Sequence, residues 1–134
     1  MMDIDTAALG ECLAESITSP ITREQLAQYA AASGDSNPLH LDPAFAKKAG
    51  FEDVIVHGML GMAVLGRLLS AHFAAHTVHK FDARFVAVLP VGETLRCRAR
   101  LASREDDGIT LDLEALDGQG RLIINGSAQL AAGI

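Results

Sequence analysis

Gly58-Met59-Leu60-Gly61-Met62-Ala63-Val64-Leu65-Gly66-Arg67-Leu68-Leu69-Ser70-Ala71-His72-Phe73-Ala74 is the stretch on which the fold of this chain turns. Met59, Met62, Ala63, Gly66, Leu69 and Phe73 recur at helical spacing and form one apolar face. The opposite side, with Leu60, Val64, Leu65 and Leu68, is nearly as apolar, and Arg67 is the only charged residue between Val54 and Ala71. A helix that is apolar all round is buried on most sides. The uninterrupted run is too short for a membrane span, and Arg67 falls inside it. Gly58, Gly61 and Gly66 each cost about 1 kcal/mol in a helix, so another backbone or a ligand is expected to approach closely there.

After residue 77 the period changes from helical to two. Phe81, Ala83, Phe85, Ala87 and Leu89 alternate with polar or smaller residues. Leu95, Cys97, Ala99 and Leu101 alternate with Arg96, Arg98 and Arg100, and Ile109, Leu111, Leu113 and Ala115 alternate with Thr110, Asp112 and Glu114. A turn at Asp117-Gly118-Gln119-Gly120 leads to a last strand near 121–131. Short connections between consecutive strands specify an antiparallel meander with one buried face. On such a hairpin Arg98 and Arg100 lie close to Glu114 and Asp112, as cross-strand charge pairs rather than a phosphate site. The fold class is α+β: an antiparallel sheet wrapped around one long central helix, a topology close to the hot-dog fold.

Before the helix, residues 12–18 read as a short strand. Thr22-Arg23-Glu24-Gln25 is a capping box, flanked by Ile21 and Leu26 as a hydrophobic staple. The helix it starts ends near Gly34, a left-handed C-cap. Asp42 before Pro43 starts a second short helix, closed by Gly50. With 134 residues, 49% of them apolar and 21% charged, the chain reads as one globular domain. A net charge of −6 argues against a nucleic-acid partner. Cys12 and Cys97 lack metal-ligand spacing and read as buried free thiols in a reducing compartment. The N-terminal residues lack the basic and apolar regions of a signal peptide, the C-terminal residues match no lipidation address, and a soluble cytoplasmic protein is expected. On that reading the sequon Asn125-Gly126-Ser127 is coincidental.

The candidate chemistry lies in Tyr29-x-x-x-Ser33-Gly34-Asp35-Ser36-Asn37-Pro38-Leu39-His40. Asn37 precedes proline and is driven out of the helical region, so the chain is expected to run extended through Asn37 and Pro38 and to bring Asp35 near His40. An aspartate and a histidine facing each other can hold one water molecule: histidine exchanges a proton near neutral pH, and aspartate orients it or shares the task.

This run, continued by x5-Ala46, resembles the signature of the MaoC-like, R-specific enoyl-CoA hydratases. The likeness continues through Val54-Ile55-Val56-His57-Gly58-Met59 and, more weakly, through Phe85 and Pro90-Val91-Gly92-Glu93; it covers residues from about 20 to 95. It implies a hot-dog fold and a syn addition of water to a trans-2-enoyl-CoA, giving an (R)-3-hydroxyacyl-CoA, with dehydration as the reverse reaction. Carried over position by position, it makes Asp35 and His40 the catalytic pair. Which of the two takes the first proton stays open, since a coupled pair titrates as a unit. Gly58, opening the buried helix, is placed to steady the negative thioester oxygen with a backbone N–H and the helix dipole. Asn37, His57, Met59, Met62, Gly66, Leu69 and Phe85 are the expected substrate-contacting residues. The Met59–Phe73 face is read as the wall of the acyl slot and Gly66 as its least obstructed point; His57 reads as structural rather than as a third catalyst.

No cofactor is implied beyond CoA, which is part of the substrate, and acyl carrier protein is an alternative carrier. His72, His76 and His79 do not have the pattern of a metal site. A hot-dog thioesterase and a non-catalytic acyl-CoA-binding subunit are the rival functions; neither requires the Asp35–His40 pair. A single sheet on one helix leaves open edges, and the resembled family builds its sites between two such units, so a homodimer is expected, with no nucleic-acid or membrane partner.

Overall fold

The computed structural model describes residues 4–132. Five strands, β1 (Cys12–Ile17), β2 (His76–Phe85), β3 (Arg96–Glu105), β4 (Gly108–Leu116) and β5 (Leu122–Ala132), form one sheet in the order β1-β3-β4-β5-β2, with every neighbouring pair antiparallel. Three helices, α1 (Arg23–Ser33), α2 (Pro43–Lys48) and α3 (Gly58–His72), lie between β1 and β2 in the chain. Helix α3 packs on β3 and also touches β1 and β4, so the sheet curves around it. Register shifts at Cys12/Ala14, Val78/Lys80, Leu101/Ser103 and Ala115/Leu116 assist this curvature, because each added residue bends its strand and increases the twist.

Alternation decides what each strand buries. Cys97, Ala99 and Leu101 of β3 and Leu111, Leu113 and Ala115 of β4 are almost completely enclosed beneath α3. Their outward neighbours pair in the expected register, Arg98 opposite Glu114 and Arg100 opposite Asp112. Arg98 bonds Glu114 at 3.4 Å and also Glu15 of β1 at 2.8 Å, while Arg100 stands 3.6 Å from Glu114. These are charge pairs on the solvent face of the sheet.

Local signals act as their chemistry dictates. Thr22 and Gln25 make both bonds of the capping box, and Ile21 and Leu26 are buried beside it. Gly34 closes α1 with φ +81°, a conformation that favours glycine. Asp42 accepts from the N–H groups of Ala44 and Phe45 at the start of α2, with Pro43 in its first turn. At the β4–β5 turn the Asp117 carboxylate accepts from the backbone of Gln119 and Arg121, which holds its pKa below the ordinary carboxylate value. No helix among the described residues is long and apolar enough to cross a membrane.

Three expectations change. The core face of α3 is Gly61, Leu65, Leu68 and Leu69, whereas Met59 is 54% exposed and Ala63 lies on the surface. A helix apolar on both sides does not choose its inward face by periodicity, and here the fit against β3 chose it. Strand β2 begins at His76 and ends at Phe85, short of Leu89. Beyond Phe85 the N–H groups of Val86 and Ala87 both reach Ile123 O, and Leu89 O accepts from Val56, so the chain crosses toward the start of α3. Asn37 is extended as expected before a proline, with φ −54° and ψ 126°, but Pro38 opens a 3-10 turn, Pro38–His40, and does not continue the run. Asn37 caps that turn, its side chain accepting from Leu39 N, a local bond that outcompetes extension.

Candidate active site

Three chain segments meet at the N-terminus of α3: the loop after α1, the 3-10 turn and the His57-Gly58 step. Polar side-chain atoms of Asp35, His40 and His57 all lie within 4.8 Å of one another. Asp35 is exposed, His40 half-buried and His57 only 1% exposed. It is the only set of three metal-ligating side chains this close among the described residues. The same closeness lets one water molecule touch an acid and a base together.

Hydrogen bonds fix the protons on both rings. His40 Nδ1 lies 2.8 Å from Ile55 O. A carbonyl only accepts, so Nδ1 carries the hydrogen and the Nε2 lone pair is left free. His57 Nε2 lies 3.1 Å from the backbone carbonyl of Asp35, and by the same argument it is a donor. The two imidazoles stack with centroids 3.9 Å apart and planes inclined by 24°, and Tyr29 meets His57 edge-on at 4.8 Å. Burial, with the neighbouring His40 adding to it, pushes the His57 pKa below its ordinary value, while the bond to Asp35 O opposes the shift.

An apolar cavity of about 240 Å³ opens directly beside His40 and His57. Gly58, Gly61 and Phe85 line its helix and strand side, Leu95, Ile123 and Ile124 its floor, and Ala87, Val88 and Leu89 its far wall. Gly58 is the first helical residue, so its N–H has no partner within the helix. The N-cap residue His57 makes no side-chain capping bond, and no acidic residue occupies the first turn. That end of α3 therefore keeps its positive dipole and free donors next to the cavity. A Cβ added at Gly58 would stand 3.2 Å from the Phe85 ring, and one at Gly61 would stand 2.7 Å from Ile124 Cδ1. A larger groove of about 590 Å³ lies among Asp82, Arg84, Arg100, Asp112 and Glu114, remote from the pair and with mixed charge. Size alone does not locate the site.

Of the residues singled out from sequence, the structure brings together Asp35, His40, His57, Gly58 and Phe85. Asn37 is committed to capping the 3-10 turn. Met59, Met62, Gly66 and Leu69 do not line the cavity: Leu69 is 2% exposed in the core, and Met59 faces outward. The wall is set one turn from the helix start, by Gly61; Gly66 lies farther along α3 and faces Phe81 of β2, where an added Cβ would stand 3.5 Å from its ring. Gly61 carried a sequence signal as a costly helical glycine. Leu95 and Ile124 carried none, since any alternating strand supplies such residues.

Comparison with known proteins places this geometry in company. The family model described as "MaoC like domain" matches residues 5–113. The (R)-specific enoyl-CoA hydratase of Aeromonas caviae is 37% identical over 108 residues, covering 78% of this chain and 81% of that protein. A solved structure described as an (R)-hydratase from A. caviae involved in PHA biosynthesis superposes with a TM-score of 0.85 at 30% identity over 95% of this chain and 98% of that one. An Arabidopsis thaliana mitochondrial 3-hydroxyacyl-[acyl-carrier-protein] dehydratase is 38% identical over 87 residues, covering 65% of this chain; the match spans about half of that relative's length.

Proposed function

Because this chain belongs to the MaoC-like domain family, we propose that it is an R-specific enoyl-thioester hydratase, adding water to a trans-2-enoyl-CoA. The observation that carries the reading is the Asp35–His40 pair, within 4.8 Å, at the mouth of an apolar cavity beside an uncapped helix N-terminus.

In this reading the acyl chain enters the cavity and the thioester oxygen faces Gly58 N–H. Water sits between the Asp35 carboxylate and the free Nε2 of His40. His40 accepts one water proton while Asp35 accepts a hydrogen bond from the other. The hydroxide oxygen bonds to the β-carbon, the π electrons move toward the thioester oxygen, and the proton returns to the α-carbon on the same face. Hydroxyl and hydrogen are both delivered and no electrons are left over, so the step needs no redox partner. The Gly58 donor acts on the enolate-like transition state more than on the substrate; in comparable sites the loss of one such donor costs about 3–4 kcal/mol.

The unit is proposed to work as a cytoplasmic homodimer. Edge strand β2 and the segment after it expose Val78, Phe85, Val86 and Val88 at 42–49%, and Met59 lies exposed at the helix start. An open apolar edge of this kind invites a second copy. CoA is the proposed carrier, and the reverse dehydration on an acyl-carrier-protein thioester would use the same groups.

Purified protein incubated with crotonyl-CoA tests the reading when enoyl-thioester absorbance and free thiol are followed together. Loss of the enoyl signal without thiol release is expected, and chiral analysis should return the R alcohol. Thiol release would point to a thioesterase, and no change to a binding subunit. Asp35→Asn and His40→Gln should each abolish hydration with the fold intact.

A further inference from the structure

We propose that His57 is a positioning residue for this reaction: its Nε2–H anchors the backbone of Asp35 while its ring face sets the plane of His40. The inference rests on the hydratase reading and deepens it. One buried ring links four segments of the chain. It stands at the N-cap position of α3 without a side-chain capping bond, bonds the Asp35 carbonyl 22 residues back at 3.1 Å, stacks on His40 at 3.9 Å and receives the edge of Tyr29 from α1 at 4.8 Å. Asp35 and His40 sit on short, partly exposed segments with few enclosed side chains of their own. Without an anchor the gap between their reacting atoms would vary with the loop.

Space-filling alone does not account for a histidine here. His57 Nδ1 is buried and has no hydrogen-bond partner. Burying such an acceptor is costly, and an apolar side chain of similar volume would fill the space without that penalty. What it would lack is the donor to Asp35 O. The charged and titratable groups that face the ring are Asp35 and His40, with Tyr29 edge-on. Nε2 is committed to a carbonyl and Nδ1 is enclosed, so the ring holds its neighbours and does not itself shuttle the proton.

The test compares wild type with His57→Phe, which keeps a stacked ring but no donor, and with His57→Gln, whose amide reaches the carbonyl. With crotonyl-CoA, kcat of His57→Phe should fall about 10- to 100-fold, the loss expected for a misplaced catalytic group, while KM changes little. His57→Gln should recover most of that loss, and the acid limb of the kcat/KM profile should keep its position in both variants. A folded His57→Phe with wild-type kcat overturns the proposal. So does disappearance of the acid limb, which would make His57 a proton-transfer group. If His57→Phe does not fold, His57→Gln is compared with His57→Asn, whose shorter amide misses the carbonyl; equal kcat in the two overturns it equally. Wild-type protein that fails to hydrate at all refutes the hydratase reading instead, and Asp35→Asn serves as the dead control.

Discussion

The contact between Gly61 and Ile124 lends itself to a double-mutant test of the cavity floor. A Cβ at position 61 would stand 2.7 Å from Ile124 Cδ1, where carbon–carbon contacts prefer about 3.5–4.0 Å, so the overlap is about 1 Å. Ile124 is 2% exposed, and the end of its side chain can yield only by turning from its present rotamer into the cavity it lines. Gly61→Ala therefore sets an overpacking cost of about 1–3 kcal/mol against a gain in helix propensity of about 1 kcal/mol. Net destabilisation of about 0–2 kcal/mol follows from those two figures. Ile124→Val removes the clashing methyl and alone should cost about 0.5–1.5 kcal/mol. Together the new methyl at 61 occupies space vacated by Cδ1, so the double variant should approach wild-type stability, with a favourable coupling of about 1–3 kcal/mol. Urea unfolding measures this as shifts in midpoint at constant slope. The same substitution narrows the proposed acyl cavity, and each buried methylene contributes about 0.8 kcal/mol, or about fourfold in affinity. The kcat/KM ratio of octenoyl-CoA to crotonyl-CoA should accordingly drop about fourfold or more in Gly61→Ala and recover in the double variant. Additivity within about 0.5 kcal/mol, together with an unchanged chain-length ratio, would refute both the contact and the cavity assignment.

Other consequences are equally direct. Burial raises the Cys97 thiol pKa to about 12, so in mildly alkaline buffer a disulfide reagent should not label Cys97 until denaturant is added; mass mapping of the labelled peptide decides this. His57 binds a proton less readily in the folded chain than at its ordinary value of 6.5. Its contribution to stability is therefore full above that value and is lost as pH falls below it. Wild-type protein should lose more stability than His57→Gln between neutral pH and about pH 5, and parallel unfolding curves at the two pH values would contradict this. Val86→Lys places a charge on the exposed edge beyond β2 and should shift sedimentation from dimer to monomer with loss of hydration; an unchanged dimer would move the proposed interface elsewhere.

Much of this protein was determined locally and was therefore legible in the sequence. The Thr22–Gln25 capping box, the left-handed Gly34, the Asp42-Pro43 helix start and the Asp117 turn depend on bonds within a few residues of each other. Strand alternation fixed which side chains of β3 and β4 face inward, and with it the Arg98–Glu114 register. The Asp35–His40 spacing belongs to the same class in part: a capped 3-10 turn brings the acid and the base near each other, while Ile55 and His57 from farther along the chain hold them in place. Tertiary structure decided the rest. Helix α3 is apolar on both sides, so only its fit against β3 could turn Gly61 inward and leave Met59 outside. The cavity floor joins Gly61 to Leu95 and Ile124, and the His57 clamp reaches back 22 residues to Asp35. Such contacts depend on how whole elements settle against one another, and a pattern read along one segment carries no record of the distant surface it will meet.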